Sequence, residues 1–336
     1  MSYIQFIHNY DHIISIENLL EAWKEFSRGK RSRKDVQEFE YDLMSNIILL
    51  HNDLIKKSYR HSVYEAFKIF DPKLRDIHKA TVRDRLLHHA VYRKLYLFFD
   101  KTFISDSFSC RVDKGTHKAV NRFRNFINKS SHNHTRTVWV LKCDIRKFFA
   151  SIDQKFLLEI LNDYIFDKEI MFLISNIVLS FYSIHKDKGL PLGNLTSQLF
   201  VNIYMNKFDQ FVKHKIKAKY YIRYADDFVV LSHDKKWLEN IIKELTIFLW
   251  DELHLTLHPK KISIKTISSG VDYLGWVHFS NHRVLRTATK KRMFRRIKIK
   301  NGHIETVQSY LGLLKHGNSK KLESEIKDIY NTINNV

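Results

Sequence analysis

Two adjacent carboxylates, Asp226 and Asp227, interrupt an apolar stretch that runs from residue 220 to residue 232. The flanking residues are mostly aromatic or β-branched, which predicts two strands joined by a turn with the acids at its tip. Aspartate also favours tight turns through its local backbone hydrogen bonds, so the pair alone leaves a structural role open. A third acid, Asp144, ends another apolar run. Two strands that each present an acid can hold two Mg²⁺ ions on a triphosphate, because Mg²⁺ requires oxygen ligands.

Hydrophobic periodicity predicts the elements that position these acids. A strand reaches Asp144 from Trp139, and two short strands that start near Tyr64 surround an Asp71–Pro72 turn. Helical spacing of apolar residues predicts helices over 9–27, 35–58, 86–99, 116–127, 152–165, 166–184, 199–211, 237–250, 290–300, 303–315 and 318–334. The acids are therefore expected on strands, with helices packed around them.

Around these acids the sequence resembles reverse transcriptases. Tyr224-Ala225-Asp226-Asp227 is similar to the Tyr-x-Asp-Asp box of that family, and Asp144 stands where its first catalytic aspartate does. Residues 189–198 fall where the family has its glycine-containing template and nucleotide loop. Residues 255–261 and 270–276 resemble its last two palm motifs. The boxes occur in family order, and the resemblance covers the chain from about residue 60 onward.

The resemblance implies an α+β, right-hand polymerase fold with fingers, palm and a small helical thumb. The palm is expected to combine an antiparallel sheet with helices. The domains expected on this basis are a helical N-terminal extension over 1–60, fingers over 61–135, a palm with fingers-side insertions over 136–279, and a thumb over 280–336.

The resemblance also implies a metal site. Asp144 and Asp226 are the expected direct ligands of two Mg²⁺ ions, joined by the carbonyl of Ile145, and Mn²⁺ is an expected substitute for Mg²⁺. Asp227 completes the catalytic and metal-binding set, mainly by shaping the site electrostatically. The implied reaction is attack of a primer 3′-hydroxyl on the α-phosphate of a dNTP, with pyrophosphate leaving.

Further residues are implied to contact the incoming dNTP. Lys73 and Arg75 lie in the expected fingers hairpin, where an arginine can clamp phosphate oxygens bidentately; a plain strand-surface charge is the alternative. Phe149 follows Asp144 by five residues, where an aromatic ring would clash with a 2′-hydroxyl; a core phenylalanine is the alternative. Lys260 or Lys261 would protonate the leaving pyrophosphate, and spacing does not choose between them.

Other residues are expected to contact nucleic acid. Arg111 lies in the second fingers motif and would touch template or nucleotide phosphate, unless it is a structural arginine. A basic loop over 28–34 is either solvated or in contact with an RNA backbone. In the thumb, a basic helix is expected to follow the template–primer duplex through phosphate contacts; its arginines are Arg292, Arg295 and Arg296.

The loop at 189–198 departs from the common family pattern. Leu192 precedes Gly193 where most relatives have glutamine, and Gln198 follows Ser197 where most have proline. This substituted box resembles the reverse transcriptases of diversity-generating retroelements, which copy a template RNA with errors at adenines. A glutamine that loses its hydrogen bond at a mispair costs roughly 1–3 kcal/mol. Leu192 has no such bond to lose, so lower fidelity is expected; an innocuous variant in a faithful enzyme is the alternative.

The amino-acid composition indicates which class of partner the protein binds. Lys and Arg number 57 against 36 Asp and Glu, a formal charge of +21, which indicates a polyanionic partner such as nucleic acid. Cys110 and Cys143 give neither a disulfide framework nor metal-site spacing. No apolar run approaches the roughly 18 residues that span a bilayer, so a cytoplasmic protein without a membrane partner is expected.

The expected partners are template RNA, an RNA/DNA primer-template, dNTPs and, by the resemblance, a small, basic, helical accessory protein that forms a ring. Three alternatives stay open. A faithful group II intron-type or retron reverse transcriptase shares the fold, and an abortive-infection polymerase would extend a strand without copying a template. A catalytically inactive RNA-binding scaffold is the third, although the presence of all three acids argues against it.

Overall fold

The structure, a computed structural model, describes residues 5–70, 74–183 and 185–334. It divides into two compact units. The first unit takes in the described residues of Met1–Ser105, Ile145–Lys217 and Leu245–Leu257. The second unit takes in those of Asp106–Asp144, Ala218–Glu244 and His258–Val336. No helix in the described ranges is long and apolar enough to cross a membrane.

The chain combines helices with short antiparallel strands. The α-helices are α1 Tyr10–Ile14, α2 Ile16–Ser27, α3 Lys34–Tyr41, α4 Leu43–Ile55, α5 Val82–Phe99, α6 Thr116–Ser130, α7 Phe148–Ser151, α8 Gln154–Asn162, α9 Lys168–Val178, α10 Leu195–Gln210, α11 Lys235–Leu253, α12 Thr287–Ile299, α13 Ile304–Leu314 and α14 Lys320–Asn334. The strands are β1 Glu65–Phe70, β2 Leu74–Lys79, β3 Trp139–Asp144, β4 Tyr220–Tyr224, β5 Asp227–Ser232, β6 Ser263–Thr266, β7 Val271–Tyr273, β8 Trp276–His278 and β9 Arg283–Leu285.

Two predicted helices are each broken in two. Ser15 separates α1 from α2, and its side chain caps α2 by accepting a hydrogen bond from the Asn18 N–H at 3.2 Å. Asp42 separates α3 from α4 with a non-helical backbone. The helical spacing of hydrophobic residues continues through both breaks, so it predicted one helix in each case. The helix predicted from residue 86 starts instead at Val82, because Thr81 caps it through the Asp84 N–H.

The second unit is built on a four-stranded antiparallel sheet with the order β4-β5-β3-β6. On one face, Val140, Ile222, Val229 and Leu231 are buried against the apolar side of α6 and against Tyr273. Burial of such a side chain stabilises the fold by roughly 1.5–3 kcal/mol. A slip of one residue would turn this whole set outward, so the core fixes the register of the strands.

A second core of this unit surrounds Trp276. This ring is 1% exposed and lies in a core formed by the three-stranded sheet β7-β8-β9 and helices α12, α13 and α14. Gly317 allows the close approach, because a Cβ at that position would lie 2.0 Å from the Trp276 ring. This helical segment corresponds to the part of the chain in which a small thumb is predicted.

In the first unit, α5 packs against α2 and α10, while β1 and β2 form a separate two-stranded hairpin. All six residues of β1 are exposed. The hairpin is the pair of strands predicted from Tyr64, and its turn, including Lys73, lies outside the described residues.

Candidate active site

Strand register brings two of the three predicted aspartates side by side. Asp144 is the last residue of β3 and pairs directly with Asp227, the first residue of β5. Side chains of directly opposed residues in an antiparallel pair point to the same face, with Cβ atoms about 4.5–5.5 Å apart. The side chains of Asp144 and Asp227 are 15% and 22% exposed. The apolar core that fixes the register therefore also fixes this acidic pair.

The third aspartate lies in the turn between β4 and β5. Tyr224 pairs with Asp227, which leaves Ala225 and Asp226 as a two-residue loop. Ala225 has a φ of 56°, a left-handed conformation that glycine usually supplies in such turns. An L-residue held in this region costs of order 1 kcal/mol or more, and such strain persists where surrounding contacts impose it.

A buried arginine supplies that constraint. Arg223 is 0% exposed, and its guanidinium donates a hydrogen bond to the Ala225 carbonyl at 3.1 Å and another to Ser107 Oγ at 3.1 Å. Its backbone pairs with residues 106–108, and Asp106 is in turn held by a two-point ion pair with Arg122 of α6. The turn is thus fixed from behind by charge-assisted hydrogen bonds.

Two lysines neutralise the acidic pair. Lys142 lies two residues before Asp144, on the same face of β3, and its Nζ is 3.5 Å from Asp227 Oδ2. Lys261 approaches from a short 3₁₀ turn, Pro259–Lys261, and its Nζ donates to Asp144 Oδ1 at 2.7 Å. The neighbouring Lys260 is exposed, and among the described residues it has no bonded partner.

The environment of Asp227 shifts the pKa of its carboxyl. Burial raises the pKa of its carboxyl to about 6; the charges of Asp144 and Asp226 act in the same direction, and Lys142 opposes them. Its Oδ1 atom is buried and accepts no hydrogen bond from any described residue. Nearby, burial and the Asp227 charge raise the pKa of the Tyr273 hydroxyl. An unsatisfied carboxylate oxygen among three acids fits a cation-binding role.

The predicted nucleotide-contact residues of the first unit form a second group. The Leu190 N–H donates to the Phe149 carbonyl at 2.8 Å, and the Leu192 carbonyl accepts from the His78 N–H at 3.2 Å. Gly193 has a φ of 112°, and a Cβ there would lie 3.3 Å from Ile77 of β2. The glycine loop is therefore tied both to α7, which carries Phe149, and to the strand that carries Arg75.

A basic cavity of about 360 Å³ opens beside this loop. Its cationic lining comes from several elements, and no acidic side chain lines it among the described residues: the basic residues are Lys30, Arg33, Lys79 and Arg85. Gln198 and Gly193 also line it, as does Asn194, the N-cap of α10. Burial, followed by the charges of Arg33 and Arg85, lowers the pKa of Lys30. Asp35 pairs with Lys79 at 2.9 Å and with Arg85 at 2.6 Å, so Lys30 and Arg33 supply the uncompensated charge. Such charge at a helix N-terminus favours an anion such as phosphate.

The Asn194 side chain strengthens this interpretation. It is 2% exposed, and its Nδ2 donates to no described residue.

Arg75 lies on the same strand face as Ile77 and Lys79, which line the cavity. Lys73 cannot be placed, because it lies outside the described residues.

The remaining predicted nucleic-acid contacts lie in the second unit. Arg111 is half-buried, and its Nη1 donates to the Ser107 carbonyl at 3.0 Å. On α12, Met293 and Ile297 face the Trp276 core, whereas Arg295 and Arg296 are exposed and Arg292 is half-buried. Exposed arginines on a helix, such as Arg295 and Arg296, are suited to phosphate contacts. The nucleic-acid roles of Arg111 and of the α12 arginines stay predictions.

Comparison with known protein families agrees with the resemblance to reverse transcriptases seen in the sequence. The family model described as "Reverse transcriptase (RNA-dependent DNA polymerase)" matches residues 67–278, more than half of the chain. This chain belongs to the reverse transcriptase family. The match includes most of β1, all of β2, the three aspartates, the glycine loop and both lysines of the 3₁₀ turn.

Several curated proteins are similar to this reverse transcriptase at low identity. Protein YkfC of Escherichia coli K12 is 23% identical over 286 residues, which are 72% of this chain and 72% of that protein. The group II intron-encoded protein LtrA of Lactococcus lactis subsp. cremoris is 23% identical over 290 residues, which are 66% of this chain but 46% of LtrA. The putative COX1/OXI3 intron 2 protein of Saccharomyces cerevisiae is 22% identical, and the chain covers 31% of it.

A solved structure shares the fold. Apo telomerase from Candida tropicalis, truncated from its C-terminal domain, aligns with a TM-score of 0.50 and 12% sequence identity. The alignment covers 70% of this chain and 59% of that chain. At this identity the similarity bears on the fold alone.

Reverse transcriptases use divalent metal ions. In this enzyme the described residues contain no ready-made group of three His, Cys, Asp or Glu donors around one point. The donor chemistry nevertheless fits a hard cation, because the unsatisfied Asp227 oxygen is available and an ammonium group already binds Asp144.

Sequence reasoning missed two functional side chains of this site. Lys142 and Arg223 both interrupt otherwise apolar strands. Lys142 lies beside Asp227, and Arg223 lies behind the turn that carries Asp226. A charged residue inside a strand that must be buried is itself a signal, since such charges are retained where they are paired.

Proposed function

We propose that this RNA-directed DNA polymerase is the error-prone enzyme of a diversity-generating retroelement. It would copy a template-repeat RNA into cDNA with errors at adenines, and that mutagenised cDNA would diversify a target gene. The observation that carries the proposal is Leu192 before Gly193, in a loop that the backbone hydrogen bonds to Phe149 and His78 hold in place. A leucine held at this position offers no side-chain hydrogen bond whose loss would penalise a mispair.

Catalysis in this proposal rests on the acidic hairpin. Asp144 and Asp226, with the Ile145 carbonyl, would hold two divalent ions, Mg²⁺ or Mn²⁺, and Asp227 would set the local charge. Such ions would supply charge neutralisation of the triphosphate and a lower pKa of the primer 3′-hydroxyl. In the reaction the 3′-hydroxyl would lose its proton to water and its oxygen would bond to the α-phosphorus. The bond from that phosphorus to the bridging oxygen would break, so that pyrophosphate leaves.

Other side chains would position the substrates. Arg75 is proposed to clamp triphosphate oxygens, as is Lys73, and Phe149 to exclude a 2′-hydroxyl. The basic cavity beside Gly193 and Gln198 would take a phosphate of the template or of the nucleotide, because its lining is cationic. Arg111 and the arginines of α12 would contact the nucleic-acid backbone.

The domain assignment follows the same proposal. We assign residues 1–60 to an N-terminal extension, 61–135 to the fingers, 136–279 to the palm and 280–336 to the thumb. Three observations support it: the β1–β2 hairpin falls in the second range, the acidic sheet in the third, and helices α12–α14 in the fourth.

Sequencing of cDNA made on a defined RNA template tests this function. Wild type should misincorporate often at template adenines, and Leu192→Gln should reduce those errors several-fold, roughly as a 1 kcal/mol gain in discrimination would. Leu179→Gln is the matched control, since Leu179 is 50% exposed and lies outside the loop. Accurate copying by both wild type and Leu192→Gln would contradict the proposal.

A second function has a specific observation in its favour. Similarity to LtrA and to a yeast intron protein favours a group II intron-type enzyme that copies faithfully. Accurate cDNA from wild type in the same experiment would select this function. Products that do not follow the template would instead indicate an abortive-infection-type polymerase.

The retroelement proposal includes a protein partner. A small, basic, helical accessory protein in the form of a ring would bind this enzyme and its template RNA. Co-purification of the two from cells that express both would support the partnership, and the absence of a stable complex in the presence of cognate RNA would contradict it.

A further inference from the structure

The two lysines at the acidic pair are held in different ways. Lys142 Nζ lies 3.5 Å from Asp227 Oδ2 and also donates to the Asp272 carbonyl at 2.8 Å, so a second acceptor anchors it. Lys261 Nζ donates to Asp144 Oδ1 at 2.7 Å, and among the described residues it has no second acceptor. The Lys142 side chain is 24% exposed and that of Lys261 is 38% exposed. Lys142 is therefore held by two acceptors, whereas Lys261, at the end of a turn, is held by one described acceptor.

We infer that Lys261 is a displaceable counter-ion, which occupies the cation position of Asp144 until a divalent ion binds there. The inference rests on the proposed metal-binding role of Asp144. Without metal, Asp144 and Asp227 face each other across one strand pair beside Asp226, and their mutual repulsion needs compensation. An ammonium group on Asp144 Oδ1 supplies it. A metal ion on the same oxygen would lie within a few ångströms of the Lys261 ammonium, and the repulsion between the two cations favours displacement of the lysine.

The energetics of the contact make it reversible. An ion pair whose lysine is more than a third exposed is worth at most about 1 kcal/mol, since water screens it and the long side chain loses rotamer freedom. A divalent ion that binds two or more carboxylates gains more free energy than this ion pair and displaces the Lys261 side chain from Asp144. Lys142 stays in place during this exchange, because its hydrogen bond to the Asp272 carbonyl does not depend on the metal.

This exchange also separates Lys261 from Lys260. In a 3₁₀ turn, successive side chains point about 120° apart, so only one of two neighbours can reach a given carboxylate. Here it is Lys261, whereas Lys260 is exposed and has no bonded partner among the described residues. Once displaced, the Lys261 ammonium is released next to Asp144, where the proposed triphosphate site lies. Metal binding would thus free the Lys261 ammonium from Asp144 and make it available to the phosphates of the substrate.

Mn²⁺ binding, followed by electron paramagnetic resonance in the absence of nucleotide and primer, tests the inference. Lys261→Met should bind Mn²⁺ roughly threefold to tenfold more tightly than wild type, because the competing cation is gone. Lys260→Met is the matched control and should bind Mn²⁺ as wild type does. Lys261→Arg keeps a cation within reach of Asp144 and should keep the weaker wild-type affinity.

Thermal unfolding in EDTA gives a second readout. Lys261→Met should unfold at a lower temperature than Lys260→Met, since its carboxylates repel one another uncompensated, and Mn²⁺ should raise its midpoint by more. Unchanged or weaker Mn²⁺ affinity in Lys261→Met would overturn the counter-ion role. Asp144→Asn distinguishes a deeper failure: if this variant binds Mn²⁺ as well as wild type does, the proposed metal site itself is wrong.

Discussion

The chain contains two antiparallel hairpins with opposite chemistry. In β4–β5, nearly every residue between the ends is buried, and the charges that occur there are acids at the turn and one arginine behind it. In β1–β2, all of β1 and half of β2 are exposed, and basic side chains project from the strands. Buried charge requires fixed partners, whereas exposed charge does not. The acidic hairpin is therefore suited to holding ions at fixed points, and the basic hairpin to a flexible hold on a phosphate chain.

The largest difference between the hairpins should appear when one acid on each is neutralised. Asp226→Asn should lower primer extension by at least about a thousandfold, since it would remove a charged ligand from the proposed metal site. Asp76→Asn is the matched change on the basic hairpin, where Asp76 is exposed and paired in register with Lys68. It should leave extension within a few-fold of wild type. Similar losses in the two variants would remove the distinction between the hairpins.

A second test concerns the arginine behind the acidic turn. Arg223→Met should lower kcat by about a hundredfold with little change in the KM for dNTP, because a small shift of the turn misplaces Asp226 without removing a substrate contact. Arg223→Lys should restore part of the rate, since one donor can still reach the Ala225 carbonyl. Steady-state kinetics on correctly folded protein measure both. A rise in KM with unchanged kcat would contradict a role in positioning the turn.

Prediction from the sequence succeeded where the pattern and the packing agree. The β4–β5 hairpin, its acids and the strand that ends at Asp144 follow from runs of β-branched and aromatic residues. The register that pairs Asp144 with Asp227 did not follow, because it depends on the core against α6. The local breaks at Ser15 and Asp42 were not predicted either, because hydrophobic spacing continues through them. Tertiary contacts gathered Lys30, Arg33, Lys79 and Arg85 into one cavity.

The basic hairpin should show a smaller effect, confined to binding. Arg75→Lys keeps the charge but loses the bidentate fork, so the KM for dNTP should rise about tenfold while kcat changes less. Lys68→Ala provides the control, since Lys68 pairs with Asp76 and lies on the opposite strand face from Arg75. A Lys68→Ala variant with the larger KM would reverse the assignment of the two faces.

The smallest effect concerns acid stability. His278 ends β8, packs edge-on against Phe123 in the core that supports the acidic sheet, and is 1% exposed. Burial, followed by the charge of Arg283, lowers its pKa from 6.5 to about 3. The unfolded chain therefore binds a proton between about pH 6.5 and 3 that the folded chain does not, and stability falls as the pH falls through this window.

At pH 5 this linkage amounts to about 2 kcal/mol. The thermal midpoint of wild type should fall between pH 6.5 and pH 5, and that of His278→Phe should fall less. His78 of the basic hairpin is the comparison: burial also lowers its pKa, but the side chain is only half-buried, so His78→Phe should change the pH dependence less. Equal pH dependence in wild type and His278→Phe would show that this histidine does not contribute.

The position of the metal is the most direct test of the acidic hairpin as the catalytic element. The protein can be loaded with Fe²⁺, exposed to ascorbate and peroxide, and its backbone cleavage mapped by mass spectrometry. A metal held by Asp144 and Asp226 predicts cleavage near residues 144 and 225–227 that disappears in Asp144→Asn. Cleavage that persists in Asp144→Asn, or that centres on β1–β2, would contradict the site.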